Sequence, residues 1–184
     1  MRRSSRSGFT LIEILIVVGI IAILVVVLLA TVLNARKKGD IGVAKNFATT
    51  AMSAAMSQWQ ADNGKSPNTF PPSPNISDGE SYWQGNAELF KELVTEPKKK
   101  SKAPYISDDA YIEGEEGGKP VFLDPWNNFY IYRNYSVKRT ISGSNKKYAG
   151  KRYNEDTYDV ISKGPDGQLY EVECENDDIH NGSE

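Results

Sequence analysis

From Ile14 to Leu33 the chain carries no charge at all. As a helix, those 20 residues would span roughly 30 Å at about 1.5 Å per residue, enough to cross the hydrocarbon core of a bilayer. A run this apolar needs a membrane or a close-packed partner to hide it from water. Ahead of it, Met1 to Gly8 is polar and basic, with Arg2, Arg3 and Arg6. By the positive-inside rule these arginines keep the N-terminus in the cytoplasm, so the rest of the chain lies across the membrane. Lys37 and Lys38 at the other end weaken that asymmetry without reversing it.

Three readings of the run compete. A removable secretory signal has an apolar core of about 7–15 residues and ends at a small-x-small site. This core is longer, and the −3 positions upstream of Ala30 and Ala35 are Leu28 and Leu33. A plain anchor accommodates the run but leaves Glu13 unexplained. An ionisable group at the edge of an apolar span is costly and marks a functional site. The bland alternative is that Glu13 reaches the headgroups, or favours the helix N-terminus by its charge.

The third reading covers all the parts. Ser7-Gly8-Phe9-Thr10-Leu11-Ile12-Glu13 resembles the type IV prepilin processing motif. The resemblance implies that a prepilin peptidase cuts between Gly8 and Phe9, methylates the new N-terminal Phe9, and leaves the apolar segment in place. Glu13 would then be the fifth mature residue. Loss of Arg2, Arg3 and Arg6 would shift the formal side-chain charge from −2 to −5. A carboxylate in an apolar setting needs a positive partner. The resemblance assigns that partner to the amino group of Phe9, on the same helix or on an adjacent copy, so that Phe9 and Glu13 together set the stagger between subunits.

Composition removes other classes. Cys174 is the single cysteine, so an intrachain disulfide and a CxxC site are excluded. His180 is the single histidine, which excludes a histidine-rich zinc site. A formal charge of −2 gives no global basic field for nucleic acid. The chain has no GxxxxGK[ST] phosphate loop.

Ala35 to Asp62 reads as a continuation of the helix. Ile41, Ala44, Ala48, Ala51, Ala55 and Trp59 recur at three- and four-residue steps and form one apolar stripe, the core face for a soluble sheet. Gly39 and Gly42 weaken the helix near the start of this stretch and allow a bend. Asn63-Gly64 stops the helix, and Pro67, Pro71, Pro72 and Pro74 imply a loop to about Ser81. Asn86 to Thr95 is a short amphipathic helix with Leu89, Phe90 and Leu93 apolar. The lysines 98–100 with Lys102, and the acidic stretch Asp108 to Glu116, read as solvated loops that could pair with each other or with a neighbouring subunit. Strands are expected at Val121–Leu123, Phe129–Tyr135, Thr157–Ser162 and Gln168–Cys174, the last after a Gly164-Pro165-Asp166-Gly167 turn. The polar, lysine-rich stretch between Arg133 and Asp156 has the look of a long hairpin.

Several of these segments resemble one family more closely. Asp62-Asn63-Gly64-Lys65-Ser66-Pro67 is similar to the DNGxYP end of the long helix in type II secretion pseudopilins, with Ser66 in place of tyrosine. Asp124-Pro125-Trp126 with Asn128, Tyr130 and Tyr132 resembles the DPWGNPYxY segment of the major, G-type pseudopilin. Tyr158 to Gly167 resembles its DxYSxGADG segment, and Asp178-Ile179 with Asn181 its terminal ADIxNW without the tryptophan.

The resemblance implies an α+β fold. A long N-terminal helix, membrane half plus amphipathic half, packs on a small antiparallel β-sheet head. The expected parts are a leader at 1–8, a membrane and filament-core helix at 9–35, and a periplasmic head at 36–184. The implied function is structural rather than enzymatic: a subunit of a type II secretion pseudopilus that polymerises through its N-terminal helix to help export folded proteins. The alternatives are a type IV pilin of a surface filament and, from another class, a membrane-anchored periplasmic enzyme using Asp124, Asp159 or Asp166. The implied partners are identical subunits in a helical filament, the prepilin peptidase, an inner-membrane assembly platform with a separate ATPase, minor pseudopilins and membrane lipid, with no nucleic acid. The family also implies calcium in the C-terminal loop. Its oxygens would come from Asp166, Asp177 and Asp178, the Asn176 amide, and backbone oxygens near Lys163 and Val172. The chain lacks the family's glycine pair after the turn, and an Asp-Gly turn followed by an acidic tail is the bland alternative. His180 reads as an exposed tail residue.

Overall fold

The computed structural model describes residues 10–63, 69–72, 82–135, 153–154, 157–169 and 177–182. It divides into two compact units, Met1–Gly39 and Asp40–Glu184. Helix α1 (Leu11–Asn46) is continuous through Gly39 and Gly42. In the first unit the large apolar side chains from Leu11 to Leu33 are all exposed. Thr31 satisfies its hydroxyl locally on the Leu28 carbonyl at 2.8 Å, the usual solution for a polar side chain inside an apolar helix.

A π-helical turn, Phe47–Ala51, follows, closed by the Met52 N–H on the Phe47 carbonyl, and leads into α2 (Met52–Asp62). The extra residue in the wide turn re-aims the helix. The face that becomes buried is Ala44, Phe47, Ala48, Met52, Ala55, Met56 and Trp59. The expected stripe therefore holds at its alanines and Trp59 but loses Ile41, which is exposed, and Ala51, which is half-buried. Met52 and Met56 follow Ala48 at four-residue steps and complete the same face.

The second helix is longer than its amphipathic pattern suggested. It comprises α3 (Tyr82–Phe90), a second π-helical turn (Lys91–Thr95) and α4 (Glu96–Lys99). Its end is a two-bond cap. The Ser101 N–H donates to Lys98 O at 3.0 Å and the Lys102 N–H to Pro97 O at 2.9 Å. Ser101 takes a left-handed φ of 56°, the conformation this cap demands and glycine usually supplies. The lysine run is thus the C-terminal turn of a helix, where cations complement the dipole.

Among the described residues, five strands form two sheets: β1 (Ile112–Glu116) with β2 (Lys119–Leu123), and β3 (Ile131–Asn134), β4 (Tyr158–Ser162), β5 (Ile179–His180) in that order. All pairings are antiparallel, and Leu123 bridges to Phe129 between the sheets. Three expectations change here. Ile112–Glu116, read as an acidic loop, is a strand, because Gly117 and Gly118, both at positive φ, make the two-residue turn that antiparallel twist favours. Phe129–Tyr135 enters the ladder only from Ile131 to Asn134. Gln168 and Leu169 are not in a strand; the rest of that expected strand, Gly64 to Pro67 and the segment 136–152 lie outside the described residues.

The core lies where the Phe47 face of the helix meets the sheets and α3. Phe47 stacks on Tyr130 at 4.4 Å, and Phe90 packs against Phe122 at 4.7 Å. Asn86 is buried within it. Its amide donates to Phe122 O and Tyr130 O, both at 2.8 Å, and accepts from Phe122 N at 2.7 Å. All of its bonding goes to backbone of Phe122 and Tyr130, which meets the cost of placing an amide in the interior.

Candidate functional site

Two sets of residues carry the functional expectations, and each falls in a different unit. At the N-terminus, Thr10 precedes the first turn of α1 and Glu13 sits within it. Glu13 Oε2 accepts from the Thr10 N–H at 2.7 Å and from its hydroxyl at 2.8 Å, while the Glu13 N–H donates to Thr10 Oγ1 at 3.3 Å. This is a reciprocal capping box, and the Thr-x-x-Glu spacing was its visible signal. The carboxylate is therefore aimed back at the N-terminus of its own helix. Gly8 and Phe9, the expected processing pair, lie outside the described residues.

At the C-terminus, the 164–167 turn is built by Gly164 and Gly167, with φ of 65° and 70°. A Cβ on Gly164 would come within 2.6 Å of Asp177 O and 2.9 Å of its carboxyl oxygen, so only glycine lets Asp177 lie there. Asn128 donates to Gly164 O at 3.3 Å. Asp166 is exposed and caps its own turn by accepting from Gln168 N at 2.8 Å. Asp177 and Asp178 are half-buried, and the Lys163 ammonium lies 4.5 Å over the Phe129 ring. Val172, Cys174 and Asn176 are outside the described residues. The structure thus brings Asp177 to the turn but, among the described residues, gathers no group of three or more carboxylate, histidine or cysteine side chains fit to hold an ion.

The 124–128 segment anchors this region. Asp124 is fully buried. Its Oδ1 accepts from Trp126 N at 3.0 Å and Asn128 N at 2.9 Å, and its Oδ2 accepts from the Ser162 hydroxyl at 2.7 Å. Ser162 Oγ in turn accepts from Gly164 N at 3.1 Å, so one carboxylate ties β2, the end of β4 and the glycine turn together. Asn127 has a φ of 66°. It occupies the slot that is glycine in the DPWGNPY pattern, and asparagine is the side chain that best tolerates that conformation. Asp159 is equally buried. It accepts from Tyr135 Oη at 3.0 Å, Tyr153 N at 3.1 Å, Asn154 N at 2.9 Å and Asn154 Nδ2 at 3.0 Å. Burial first, and the Asp159 charge second, push the Tyr135 hydroxyl up to about 12. Asp124, Asp159 and Asp166, the acids of the enzyme alternative, are all engaged in turn and strand-end bonding.

The terminal Asp178-Ile179-His180-Asn181 segment has a structural part that the sequence did not reveal. Ile179 and His180 extend the sheet as β5. Asn181 Oδ1 accepts from Val160 N at 2.9 Å and its Nδ2 donates to Tyr158 O at 3.1 Å, continuing the ladder with a side chain. His180, expected to be an exposed tail residue, is half-buried and stacked on Tyr153 with ring centroids 3.4 Å apart.

An apolar helix opening on a Thr-Glu box, followed by an α+β head, defines a class of membrane-associated subunit. Residues 3–29 match the family model described as the prokaryotic N-terminal methylation motif. Beyond that motif, the chain is 31% identical over 132 residues to the type II secretion system core protein G of Pseudomonas aeruginosa, covering 72% of this chain and 76% of that one. It is 28% identical over 130 residues to the protein of the same name from Klebsiella michiganensis, covering 71% and 75%. No solved structure matches. The chain belongs to the type II secretion core protein G family, the major pseudopilins.

Proposed function

We propose that this chain is a structural subunit of a type II secretion pseudopilus, assembled from identical copies through the exposed apolar helix. One observation carries the reading. The N-terminal 36-residue helix α1 leaves its large apolar side chains uncovered from Leu11 to Leu33, and its only acid in that stretch is held at the N-terminal end by Thr10. By length and composition the helix Leu11–Asp62, with a mean hydropathy of 3.4 in its most apolar window, is sufficient to cross a membrane. Lipid would cover it before assembly and neighbouring helices afterwards. The head would face the periplasm, with prepilin peptidase trimming the chain after Gly8 and an assembly platform and its ATPase supplying the work. Glu13 would leave Thr10 for the Phe9 amine of an adjacent copy, neutralising two charges in an apolar setting.

Mass spectrometry of the mature N-terminus tests the reading. N-methylated Phe9 is the expected first residue; a chain beginning beyond Leu33 would refute it. Glu13→Ala should lower filament yield in cross-linked membranes, and an unchanged yield rejects the charge-pair role.

Calcium at the C-terminal turn is part of the same proposal. Asp177 beside Gly164, the neighbouring Asp178, and carbonyl oxygens of the turn are hard donors of the kind calcium takes. Asp166 would have to turn away from Gln168 N to join them. Bound there, the ion would tie the C-terminal segment to the turn. A chelator should lower the melting temperature of the full chain, and no shift would exclude a resident ion.

A further inference from the structure

The lysine run and the acidic stretch, read from sequence as loops able to pair with each other, are joined at one point, Lys98 to Asp108, and otherwise leave two charged patches. Lys98 is paired with Asp108 at 2.9 Å and Lys99 with Glu96 at 3.0 Å. Lys100 and Lys102, on the cap of α4, are exposed and have no ion pair among the described residues. On the β1–β2 hairpin, Lys119 lies opposite Glu116 in the register, but its ammonium goes to Glu88 at 3.7 Å. Glu88 also takes Lys91 at 3.1 Å. Glu115 and Glu116 are left exposed and without an ion pair among the described residues.

Among the described residues, Lys100 and Lys102 form no ion pair with Glu115 or Glu116 of the same chain. The hairpin packs on α3. The site of a Cβ on Gly117 at the tip is 2.5 Å from the Trp83 ring, and at the base Tyr111 donates to Asp108, the partner of Lys98. The acidic tip therefore sits at the start of α3 and the basic turn at the end of α4, roughly 25 Å apart by helical rise. Acidic side chains on an outer strand can be explained as protection against edge pairing. That explanation does not require a matching pair of unneutralised lysines at the other end of the same helix.

We propose that the hairpin tip, through Glu115 and Glu116, docks on the Lys100–Lys102 turn of a second copy of this chain. The inference rests on the filament reading above and adds a head-to-head contact to it. A contact between two different patches on identical chains is heterologous, so it propagates along an assembly. Because the groups are exposed, the contact steers and aligns neighbours and weakens with salt.

The test uses the full chain in assembled filaments. Copies labelled with nitrogen-14 and nitrogen-15 are mixed, assembled and treated with a zero-length carbodiimide. Mixed-isotope peptides joining Lys100 or Lys102 to Glu115 or Glu116, in a ladder beyond dimers, are expected. In parallel, the pair Glu115→Lys/Glu116→Lys and the pair Lys100→Glu/Lys102→Glu should each lower filament yield by roughly three- to ten-fold, and the combined reversal should restore it. Filaments without those cross-links, cross-links that stop at dimers, or a combined reversal no better than the single ones would each overturn the docking. If the unaltered chain forms no filaments, the filament reading fails and the docking with it. If filaments form and their yield ignores all three sets, only the docking fails.

Discussion

Replacing Asp124 by alanine should unfold the head much more readily. The carboxylate accepts three hydrogen bonds at 3.0, 2.9 and 2.7 Å from a fully buried position. Bonds to a charged acceptor contribute about 1.5–3 kcal/mol each. Water can reach the half-buried Trp126 and Asn128 amides once the side chain is gone, so their share is at the low end. The Ser162 hydroxyl is buried and would be stranded. A loss of about 3–5 kcal/mol follows, which for a chain of this size lowers the melting temperature by roughly 8–15 °C. Asp124→Asn keeps an oxygen for the two amides and misplaces a donor toward Ser162, at about 1–2 kcal/mol. Ser162→Ala should cost a similar amount, and the double change less than the sum, because both single changes break the same bond. Near-UV circular dichroism of the full chain in detergent, read against temperature or urea, measures all four. A loss under about 1 kcal/mol for Asp124→Ala, or strict additivity of Asp124→Asn with Ser162→Ala, would refute the reasoning.

Other outcomes follow from single residues. Asn127→Gly and Ser101→Gly should each stabilise the head by up to about 1 kcal/mol, since both positions hold left-handed backbone without glycine; urea midpoints check this, and Asn127→Val should move the opposite way. Tyr135 is raised to about 12 from its ordinary value near 10, so its folded form prefers the neutral hydroxyl. Its contribution is whole below pH 10 and is lost as pH climbs through 12, which ultraviolet titration at the tyrosinate band, alongside Tyr135→Phe, will show. Asn181→Ala removes a side chain that pairs with Val160 and Tyr158 backbone; hydrogen exchange at Val160 should rise sharply while that of Ile131 changes little.

How far the sequence could be read depended on the kind of signal. The apolar run is a property of composition over many residues, and it appears as a helix with no surprises. The alanine stripe depends on a 3.6-residue period; Ala44, Ala48, Ala55 and Trp59 keep to it, while Ile41 at its start is exposed and Met52 and Met56 join the buried face. Ile112–Glu116 has the composition of a solvated loop; its strand is imposed by the Gly117-Gly118 turn and by pairing with Val121 and Phe122. Resemblance located the Asp124, Gly164 and Asn181 segments without saying what they do. Each turns out to solve a backbone problem: two amides to satisfy at Asp124, a close approach at Gly164, a ladder to extend at Asn181. The amides at Asp124 are local, but the partners at Gly164 and Asn181 lie far along the chain, where no local pattern points to them.

The same reasoning bears on why the two functional regions are built so differently. The N-terminal acid is held by Thr10 through bonds made entirely within one helical turn, so the proposed exchange of that partner for an amine would break no bond in the head. A capping interaction is worth about 1 kcal/mol, and it satisfies the carboxylate within its own helix. The C-terminal turn is the opposite case. Its glycines, Asp124, Ser162 and Asn128 form one connected set, so any change at Asp177 is felt at the end of β4. An ion held there would stabilise the whole head, whereas a change at Glu13 should leave head stability untouched. Thr10→Val separates the two ideas. It removes the cap hydroxyl and should alter how Glu13 is presented, with filament yield changing while the unfolding free energy of the head stays within about 0.5 kcal/mol of the parent. A shift of the head's unfolding free energy beyond that range would mean that the two regions are coupled and that this division of labour is wrong.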